Sequence, residues 1–499
     1  MVAPALDGKP TALFRFDAGP RTGGGHAVRC LTLAAALEGA GWQCRFAVNP
    51  EALETVGALA ARSGDCIVLS AGPDGQTDEM GASLAGRGCE LLVVDHYGWQ
   101  AEQEAACRKF AQRILVMDDL ADRPHDADIL LDPGLGRLPD DYAGLVPDDC
   151  RLLLGPVHAL LKPAFSELRA ATLERRRTSR EVRRLLVTFG LTDPENLTAR
   201  ALAAVAQAGG DCHVDVILGD GAPHLEQVFG AAARLGEKVR VVVGPDNMAV
   251  LMADADLAMG ACGTTSWERC CLGLPTVAVM AAENQRLNAV ALEAAGAIES
   301  LGWHDAVTAV EIAENLADLM ASPDRLTALS VAATTLCDGW GAARVVGVVD
   351  DVIKGRDPAL RPAVMADAEM LLAWRNDPET RRQSKTTAEV SLDTHRAWLQ
   401  GVIDDDHRRL YVAEVAGAPV GSVRADRDGG AWVLSWMVAP EARGQGHGRR
   451  IVARLVEGLA GRIHAEVKPD NPASVRIAKA LGMTPADDTG PLTLWVMNK

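Results

Sequence analysis

The chain has 499 residues, of which 48% are hydrophobic and 23% charged, and its formal net charge is −17 at pH 7. This length exceeds what one hydrophobic core supports, so we expect several domains. The negative charge disfavours nucleic acid and anionic membrane surfaces as the main partners, because both would repel an acidic protein.

Targeting and cysteine patterns favour a cytoplasmic protein. No apolar run approaches the roughly 20 residues of a membrane span, and the N-terminal sequence lacks the basic start and long apolar segment of a signal peptide. The 11 cysteines form no C-x-x-C pair and no regular framework, so we expect reduced and mostly buried thiols. We predict no metal site, and the sequence gives no indication of the oligomeric state.

Residues 1–160 alternate short apolar runs with helical patterns. Residues 11–16 predict a strand, residues 27–39 a helix ended by glycine, and residues 91–95 and 113–117 two further strands. This alternation is typical of a parallel sheet wrapped by helices, so we expect a first doubly wound, Rossmann-type domain here.

A glycine-rich helix start follows the first predicted strand. Gly25 and His26 lie where the helix begins, and Asp17 lies in the loop before it. Glycine lets the backbone approach a ligand closely, and the positive end of a helix disfavours a protonated imidazole. We therefore predict that His26 is a neutral catalytic base and that Asp17 orients its ring or positions a water. A histidine that merely caps the helix is the alternative.

A second series of strands and helices fills residues 161–350. Residues 160–184 carry the basic run Glu174-Arg175-Arg176-Arg177, which predicts a helical, solvated connector. The apolar runs 184–189, 214–218, 239–243, 255–259 and 276–279 predict a second parallel sheet. We expect two doubly wound halves facing a cleft, with ligands bound at the carboxyl ends of the strands.

A hydroxyl-rich turn after residue 259 predicts a diphosphate site. The turn opens a helix, and a helix start offers free backbone N–H groups and a positive dipole end. Glu268 lies in the first helical turn, where its carboxylate could accept hydrogen bonds from ribose hydroxyls. We predict ligand contacts from this turn and from a second polar cluster, namely from Gly263, Thr264, Thr265, Ser266, Asn284 and Gln285. The alternative is a turn that only caps its helix.

Several motifs in order resemble one enzyme family over roughly residues 10–345. They are Arg15-x-Asp17, Gly23-x-Gly25-His26-x-x-Arg29-Cys30, Val94-Asp95-His96-Tyr97, Met117-Asp118-Asp119, Leu154-Gly155-Pro156, Asp193-Pro194-Glu195-Asn196 and the segment 263–275. The family is the UDP-2,4-diacetamido-2,4,6-trideoxy-β-L-altropyranose hydrolases of pseudaminic acid biosynthesis. The resemblance implies the GT-B fold, which that family shares with the peptidoglycan glycosyltransferase that uses UDP-N-acetylglucosamine.

The resemblance also implies a reaction and its residues. Water would attack the anomeric carbon of the UDP-sugar and release UDP without a metal. His26 matches the family's essential histidine, and Glu268 matches a glutamate that binds the uridine ribose in the glycosyltransferase. Within the matching motifs we expect sugar or phosphate contacts from Gly25, Arg29, Asp95, His96 and Tyr97, with His96 as a rival base. The chain departs from the family at Leu191-Thr192, where Gly-Ser is usual; Thr192 keeps a hydroxyl for a ligand contact.

Residues 360–499 differ in pattern and follow a polar, proline-containing linker at 354–358. Helices come first, and then the strands 410–415, 419–423 and 431–436, joined by Gly/Asp turns. Next comes a loop with glycines at alternating positions, a spacing that lets successive N–H groups hold a pyrophosphate. A helix is predicted from about Ile451. The predicted cofactor contacts are Val438, Arg443, Gly444, Gln445, Gly446, His447, Gly448 and Asn471.

This segment resembles the GNAT acetyltransferases, an α+β fold that uses acetyl-CoA as co-substrate. The loop carries the family's Arg443-x-x-Gly446-x-Gly448 spacing, and Trp374-Arg375-Asn376-Asp377 and His395-x-x-Trp398 resemble its ribosomal-protein and amino-sugar branch. Many members have a tyrosine acid where this chain has Ala478. Glu414, Ser435 and Glu466 are other polar candidates.

The two resemblances together imply a bifunctional enzyme for a UDP-linked diamino sugar. The GNAT domain would N-acetylate the 4-amino group, and the GT-B pair would hydrolyse the diacetylated product, which would serve flagellin glycosylation or a surface polysaccharide. One alternative is a hydrolase whose GNAT domain only binds acyl-CoA or acts as a scaffold. Another is a UDP-sugar glycosyltransferase.

Overall fold

A computed structural model describes the protein over residues 9–19, 22–178, 181–209, 211–415, 417–487 and 492–499. Its contacts divide the chain into two compact units, Met1–Val349 and Asp350–Lys499. In the described part of the chain, no helix is both long and apolar enough to cross a bilayer.

The first half of the first unit is a parallel sheet of seven strands with the order β3-β2-β1-β4-β5-β6-β7. Its elements are β1 Thr11–Phe16, α1 Gly25–Gly39, β2 Gln43–Val48, α2 Pro50–Thr55, α3 Gly57–Ala60, β3 Cys66–Val68, α4 Pro73–Ser83, β4 Cys89–Asp95, α5 Ala101–Cys107, β5 Ala111–Met117, β6 Ile129–Asp132 and β7 Arg151–Leu154. The central strands β1 and β4 are almost wholly buried, as apolar runs covered on both faces require. The strand order reverses between β1 and β4, which opens a crevice at their carboxyl ends.

The second half of the first unit repeats this plan with six parallel strands in the order β10-β9-β8-β11-β12-β13. Its elements are α6 Pro163–Thr178, β8 Arg184–Thr188, α7 Leu197–Ala208, β9 His213–Leu218, α8 Leu225–Leu235, β10 Val239–Val243, α9 Met248–Asp254, β11 Leu257–Ala261, α10 Thr265–Cys271, β12 Thr276–Met280, α11 Arg286–Ala294, β13 Glu299–Trp303, α12 Ala309–Met320, α13 Pro323–Thr334 and α14 Gly341–Ile353, whose last four residues belong to the second unit. Here the order reverses between β8 and β11, so the predicted diphosphate turn after β11 lies at a second switch point.

Helix α6 is not the solvated connector that its charge suggests. Arg176 donates to the main-chain oxygens of Met252, Ala255 and Leu272 at 2.7–2.9 Å. Arg175 also donates to main-chain oxygens of this half, whereas the Arg177 side chain is 77% exposed. The prediction was wrong because guanidinium groups can satisfy the otherwise unpaired carbonyls at the ends of helices and strands.

The second unit is a seven-stranded, mostly antiparallel sheet with the order β14-β15-β16-β17-β18-β20-β19. Its elements are β14 Ala359–Pro362, α15 Ala368–Asn376, α16 Pro378–Gln383, α17 Leu392–Ile403, β15 Arg408–Val415, β16 Ala418–Asp428, β17 Ala431–Val438, α18 His447–Glu457, β18 Arg462–Val467, α19 Pro472–Ala480, β19 Thr484–Asp487 and β20 Thr493–Asn498. Among the described residues of this unit, β17 and β18 are the one pair of strands that runs in parallel. Helix α18 begins at His447 and not near Ile451, because Gly446 adopts the left-handed φ of 80° that ends the preceding turn.

Candidate functional site

The centre of the first-unit site is a pair formed by His26 and Asp95. His26 is the second residue of α1, and Asp95 is the last residue of β4, beside β1. Their side chains meet at 2.5 Å between Nδ1 and Oδ1, and both are buried. Since Asp95 accepts from Nδ1, the Nε2 atom is left as the acceptor of the neutral ring. Within the residues that the structure describes, no hydrogen bond engages this Nε2.

Asp95 stays ionised because of Arg29. The guanidinium donates through Nε and Nη2 to both carboxylate oxygens at 2.6 Å. Burial alone would raise the pKa of Asp95, but Arg29 and the His26 ring outweigh it and hold that pKa well below its ordinary value. Arg29 was predicted to contact substrate. The structure shows Arg29 buried and bonded to Asp95 and Asp119, and its substrate contact stays a prediction.

Asp17 makes no hydrogen bond to His26, so it does not orient that ring, and its other predicted role, the positioning of a water, stays a prediction. Its carboxylate accepts from His96 Nε2 at 2.9 Å and from Arg15 Nη1 at 2.5 Å. These bonds hold the pKa of Asp17 well below its ordinary value, although burial opposes them. His96 Nδ1 accepts the Gly98 N–H at 2.9 Å, so both ring nitrogens of His96 have partners. This geometry favours His26 over His96 as the base.

Tyr97 links the two halves of the first unit. Its hydroxyl donates to Asp119 Oδ2 at 3.1 Å and accepts from Asn284 Nδ2 of the second half at 2.7 Å. The His26 ring meets the Tyr97 ring edge-on with centroids 4.8 Å apart. Asp119 thus fixes both Tyr97 and Arg29. The sequence placed Asp119 in a family motif but assigned it no role, because nothing in its spacing shows which side chains it touches.

The starts of α1 and α10 face each other across the same cleft. A Cβ atom on Gly25 would lie 4.0 Å from Thr264 Oγ1, and one on Gly24 would lie 2.3 Å from Leu191 Cδ1. Glycine at position 24 therefore leaves space for Leu191, the residue at which the chain departs from the family. Thr192 beside it is buried. Arg29, Thr264 and Trp267 also line a small cavity between the halves.

Two predicted ligand residues of the second half have structural partners instead. Ser266 is 1% exposed, and its hydroxyl accepts from Arg269 at 3.0 Å. Gln285 Oε1 accepts from the main-chain nitrogens of Cys262 and Ala281 at 3.2 and 3.0 Å, which fixes the turn before Gly263. Thr264 and Thr265 open α10, and no side chain in the described part of the chain caps that helix start.

Glu268 is half-buried and, unlike Ser266 and Gln285, has a side chain that is not held by other described residues. Burial raises its pKa from an ordinary value near 4.5 to about 7, and Arg269 and Lys162 only partly offset this. Its carboxylate makes no hydrogen bond to any residue that the structure describes. A desolvated carboxylate without partners is destabilising unless a ligand supplies donors, which is typical of binding sites.

In the second unit, β17 and β18 separate towards their carboxyl ends. Their pairing covers only Trp432–Leu434 with 463–465, although β17 continues to Val438. The loop that follows contains Gly444 and Gly446 at φ of 78° and 80°. Left-handed glycines of this kind turn main-chain N–H groups towards one side, which fits the pyrophosphate of acyl-CoA.

The side chains of this loop have different roles from one another. Arg443 donates to Asp377 Oδ1 at 2.5 Å and to Thr380 Oγ1 at 2.8 Å, which ties the loop to the start of α16. A Cβ atom on Gly448 would lie 2.9 Å from Ile477 Cδ1 and 3.2 Å from Val438 Cγ2, so this glycine permits close packing between α18, α19 and β17. Gln445 Oε1 lies 3.3 Å from His447 Nε2.

Asn471 is a helix cap. Its side-chain oxygen accepts from Ser474 N at 3.0 Å at the start of α19. Of the three other acid–base candidates, Glu414 bonds to Arg361 at 2.7 Å, Glu466 bonds to Lys385, and Ser435 is exposed. Ala478, at the position of the family's tyrosine, is fully buried.

Two family models match the chain. Residues 185–337 match the glycosyltransferase family 28 C-terminal domain, and residues 359–484 match the acetyltransferase (GNAT) domain. With the two parallel sheets and the split β17–β18 pair, these matches confirm the predicted fold class, a GT-B-like pair of doubly wound domains followed by a GNAT α+β domain.

Curated relatives match only part of the chain. The spore coat polysaccharide biosynthesis protein SpsG of Bacillus subtilis is 28% identical over 211 residues, which are 42% of this chain and 60% of the relative. The UDP-2,4-diacetamido-2,4,6-trideoxy-β-L-altropyranose hydrolase of Campylobacter jejuni is 26% identical over 168 residues, which are 34% of this chain and 57% of the relative. Across four curated relatives with matches, the matched segment covers between 41% and 60% of the relative's own length. The crystal structure of Acinetobacter baumannii MurG aligns with a TM-score of 0.49 and 18% identity, over 68% of this chain and all of that one.

These comparisons confirm the predicted fusion. The chain is related to the UDP-sugar hydrolase and to SpsG, carries a glycosyltransferase family 28 domain, and ends in a GNAT domain.

Proposed function

We propose that this chain, a hydrolase-related GT-B pair fused to a GNAT domain, is a UDP-sugar hydrolase in its first unit. The observation that carries the proposal is the buried His26–Asp95 pair at the β1–β4 switch point. The Nε2 atom of His26 has no hydrogen-bond partner among the described residues. The family motifs and the relation to the altropyranose hydrolase support the proposal. Glu268 of α10 also supports it, because its carboxylate has no hydrogen-bond partner among the described residues.

His26 acts as the general base in this mechanism. Its Nε2 takes a proton from a water as the water oxygen forms a bond to the anomeric carbon. The bond between that carbon and the UDP oxygen breaks, and UDP leaves with the bonding electron pair. Asp95 stabilises the imidazolium that results, because its carboxylate is already ionised and bonded to Nδ1. Glu268 binds the ribose hydroxyls, and the α10 turn contacts the diphosphate.

The sugar is proposed to be the diacetamido altropyranose of pseudaminic acid biosynthesis. This assignment rests on the motif resemblance and on the Campylobacter relative. The geometry of the chain itself supports a nucleotide-linked sugar, because the start of α1, which carries the His26 base, lies close to the start of α10, which carries Glu268 in its first turn. A glycosyltransferase is the second candidate, supported by the family 28 match.

UDP release from the full chain tests the hydrolase. We expect release from the diacetamido UDP-sugar that is unaffected by EDTA and lost in His26→Ala. The matched control is His213→Ala, because His213 is exposed at the amino end of β9. Full turnover by His26→Ala would refute the base. Release that requires an added acceptor would favour the glycosyltransferase.

We propose that the second unit N-acetylates the 4-amino UDP-sugar that precedes this substrate. Acetyl-CoA bound at the loop 443–448 would supply the acetyl group. Support for an anionic acceptor comes from two nitrogens of this unit, Arg375 Nη1 and His395 Nε2, which are buried and have no hydrogen-bond partner among the residues that the structure describes. Burial lowers the pKa of both groups, so a nearby phosphate would stabilise their charged forms.

CoA-thiol formation separates this activity from a domain that only binds acyl-CoA or acts as a scaffold. We expect thiol release from acetyl-CoA only when the 4-amino UDP-sugar is present, and the amount of thiol should equal the amount of acetylated sugar. Binding of acetyl-CoA without sugar-dependent thiol release would favour the non-catalytic alternative. Hydrolysis of the diacetamido UDP-sugar, supplied in a separate sample, shows that the first unit is folded, and the binding of acetyl-CoA shows that the second unit is folded.

A further inference from the structure

Within the second unit, an ion pair joins the last turn of α14 to the first turn of α18, next to the acyl-CoA loop. Asp351 lies in the last turn of α14, and Arg450 lies in the first turn of α18. Asp351 Oδ2 accepts from Arg450 Nε at 2.9 Å, and the side chains are only 12% and 13% exposed. Asp351 belongs to the second compact unit, yet it precedes residue 359, where the acetyltransferase match begins.

Arg450 also holds the main chain of the loop. Its Nη1 donates to the Gln445 carbonyl oxygen at 3.0 Å, and a Cβ atom on Gly446 would lie 3.5 Å from the same Nη1. One guanidinium thus bonds to Asp351 on one side and to the turn that opens α18 on the other. Fixing the Gln445 carbonyl also fixes the direction of the N–H groups that follow it.

Asp351 is itself held in place. Its other oxygen, Oδ1, lies 3.3 Å from Arg356 Nε, and its main-chain oxygen accepts the Arg356 N–H at 2.7 Å. Burial, with Arg450, lowers the pKa of the adjacent His447, while Asp351 acts in the opposite direction. The end of α14 is therefore part of the packing around the loop.

We propose that Asp351 is a positioning residue for the acyl-CoA loop, acting through Arg450 to preorganise the main-chain N–H groups that bind the pyrophosphate. The inference rests on the proposed binding of acetyl-CoA by this loop. It goes beyond it by assigning a role to a residue outside the acetyltransferase match. Preorganisation matters because a loop that orders only on binding loses affinity.

Asp350→Asn is a matched control for Asp351→Asn. Asp350 is the preceding residue and carries the same charge, but its carboxylate bonds to Lys354 at 2.6 Å and Arg356 at 2.5 Å and not to Arg450. In calorimetric titrations of the full chain with CoA, we expect Asp351→Asn to bind about tenfold more weakly, because a buried charge-assisted hydrogen bond is lost. Asp350→Asn should stay within about twofold of the unmodified chain.

Hydrogen exchange gives a readout without ligand. In the CoA-free chain, the amides of residues 445–449 should exchange faster in Asp351→Asn than in Asp350→Asn. If Asp351→Asn unfolds the second unit, Arg450→Lys decides the matter, because lysine keeps a charge beside Asp351 but cannot also bond to the Gln445 oxygen. We expect weaker CoA binding by this variant at an unchanged unfolding temperature.

The outcomes separate this inference from the proposed function. Equal CoA affinity and equal loop exchange in the Asp351 and Asp350 variants would overturn the inference and leave the proposed cofactor intact. Undiminished CoA binding by Arg450→Lys would overturn it as well. An unmodified chain that binds no CoA would refute the proposed cofactor and the inference together.

Discussion

Replacing Glu268 with glutamine should stabilise the ligand-free protein at alkaline pH while weakening UDP binding. The Glu268 carboxylate is half-buried, has no hydrogen-bond partner among the described residues, and has a pKa raised to about 7 by burial. Once ionised, it is a charge without compensation, which costs stability. Glutamine has nearly the same shape and no charge, so the substitution removes this cost.

The sign and size of this stability difference follow from the pKa of Glu268 in the folded and in the unfolded chain. Below about pH 4.5 the carboxyl is protonated both folded and unfolded, and there is no cost. Between the ordinary value of 4.5 and about 7, the unfolded chain ionises first and stability falls as pH rises. Above pH 7 the cost is constant, at about 3 kcal/mol, since a tenfold change in proton affinity is worth about 1.4 kcal/mol.

Scanning calorimetry of the first unit measures this difference. With an unfolding entropy of about 2.1 cal/mol/K per residue, 3 kcal/mol over the 349 residues of this unit corresponds to about 4 °C. Glu268→Gln should therefore unfold about 4 °C higher than the unmodified chain near pH 8.5 and within about 1 °C of it near pH 4.5. Glu314→Gln, which alters an exposed residue of α12, is the matched control and should show no such pH dependence.

The same variant tests the ribose contact. We expect UDP to bind Glu268→Gln about tenfold more weakly, because hydrogen bonds to a charged acceptor are lost. The reasoning about burial is refuted if the stability difference does not change with pH. The ribose assignment is refuted if UDP binds the variant as tightly as it binds the unmodified chain.

Two further substitutions test the hydrogen bonds of Asp95 and of Arg176. Asp95→Asn should lower the UDP release rate at least about 100-fold, because Nδ1 of His26 loses its carboxylate, while UDP affinity measured by calorimetry stays within about threefold. An unchanged release rate would exclude Asp95 from the mechanism. Arg176→Ala should lower the free energy of unfolding in urea by about 2–3 kcal/mol, because three main-chain oxygens lose a charged donor. Arg177→Ala should change it by less than about 0.5 kcal/mol, and equal effects would contradict the account of α6.

Apolar runs were sufficient to predict β1, β4, β5, β8 to β12 and β15 to β17. The runs at 11–16, 184–188 and 239–243 are apolar or β-branched except for one arginine in each, and the structure places strands there. The sequence missed β2, β3, β6, β7, β13, β14, β19 and β20, which have three to six residues each. Several of these carry polar or exposed positions, so their pairing depends on the neighbouring strands and not on their own pattern.

The location of the site was more predictable than the partners within it. Helix starts and strand ends can be found from glycines, hydroxyls and apolar runs, which placed His26, Asp95 and Glu268 at the switch points. Whether Asp17 or Asp95 meets His26 depends on the packing of β1 beside β4, which no local spacing records. Ser266 has the type of a ligand residue, but its hydroxyl accepts from Arg269, one turn later in the same helix α10.

The central claim is that water, deprotonated by His26, attacks the anomeric carbon of a UDP-sugar. The most direct measurement is mass spectrometry of the products formed from the diacetamido UDP-sugar in water labelled with heavy oxygen. We predict that UDP carries no label, that UDP and free sugar form in equal amounts without any acceptor, and that His26→Ala forms neither. Label in the UDP phosphate, or turnover only with an added acceptor, would contradict this account.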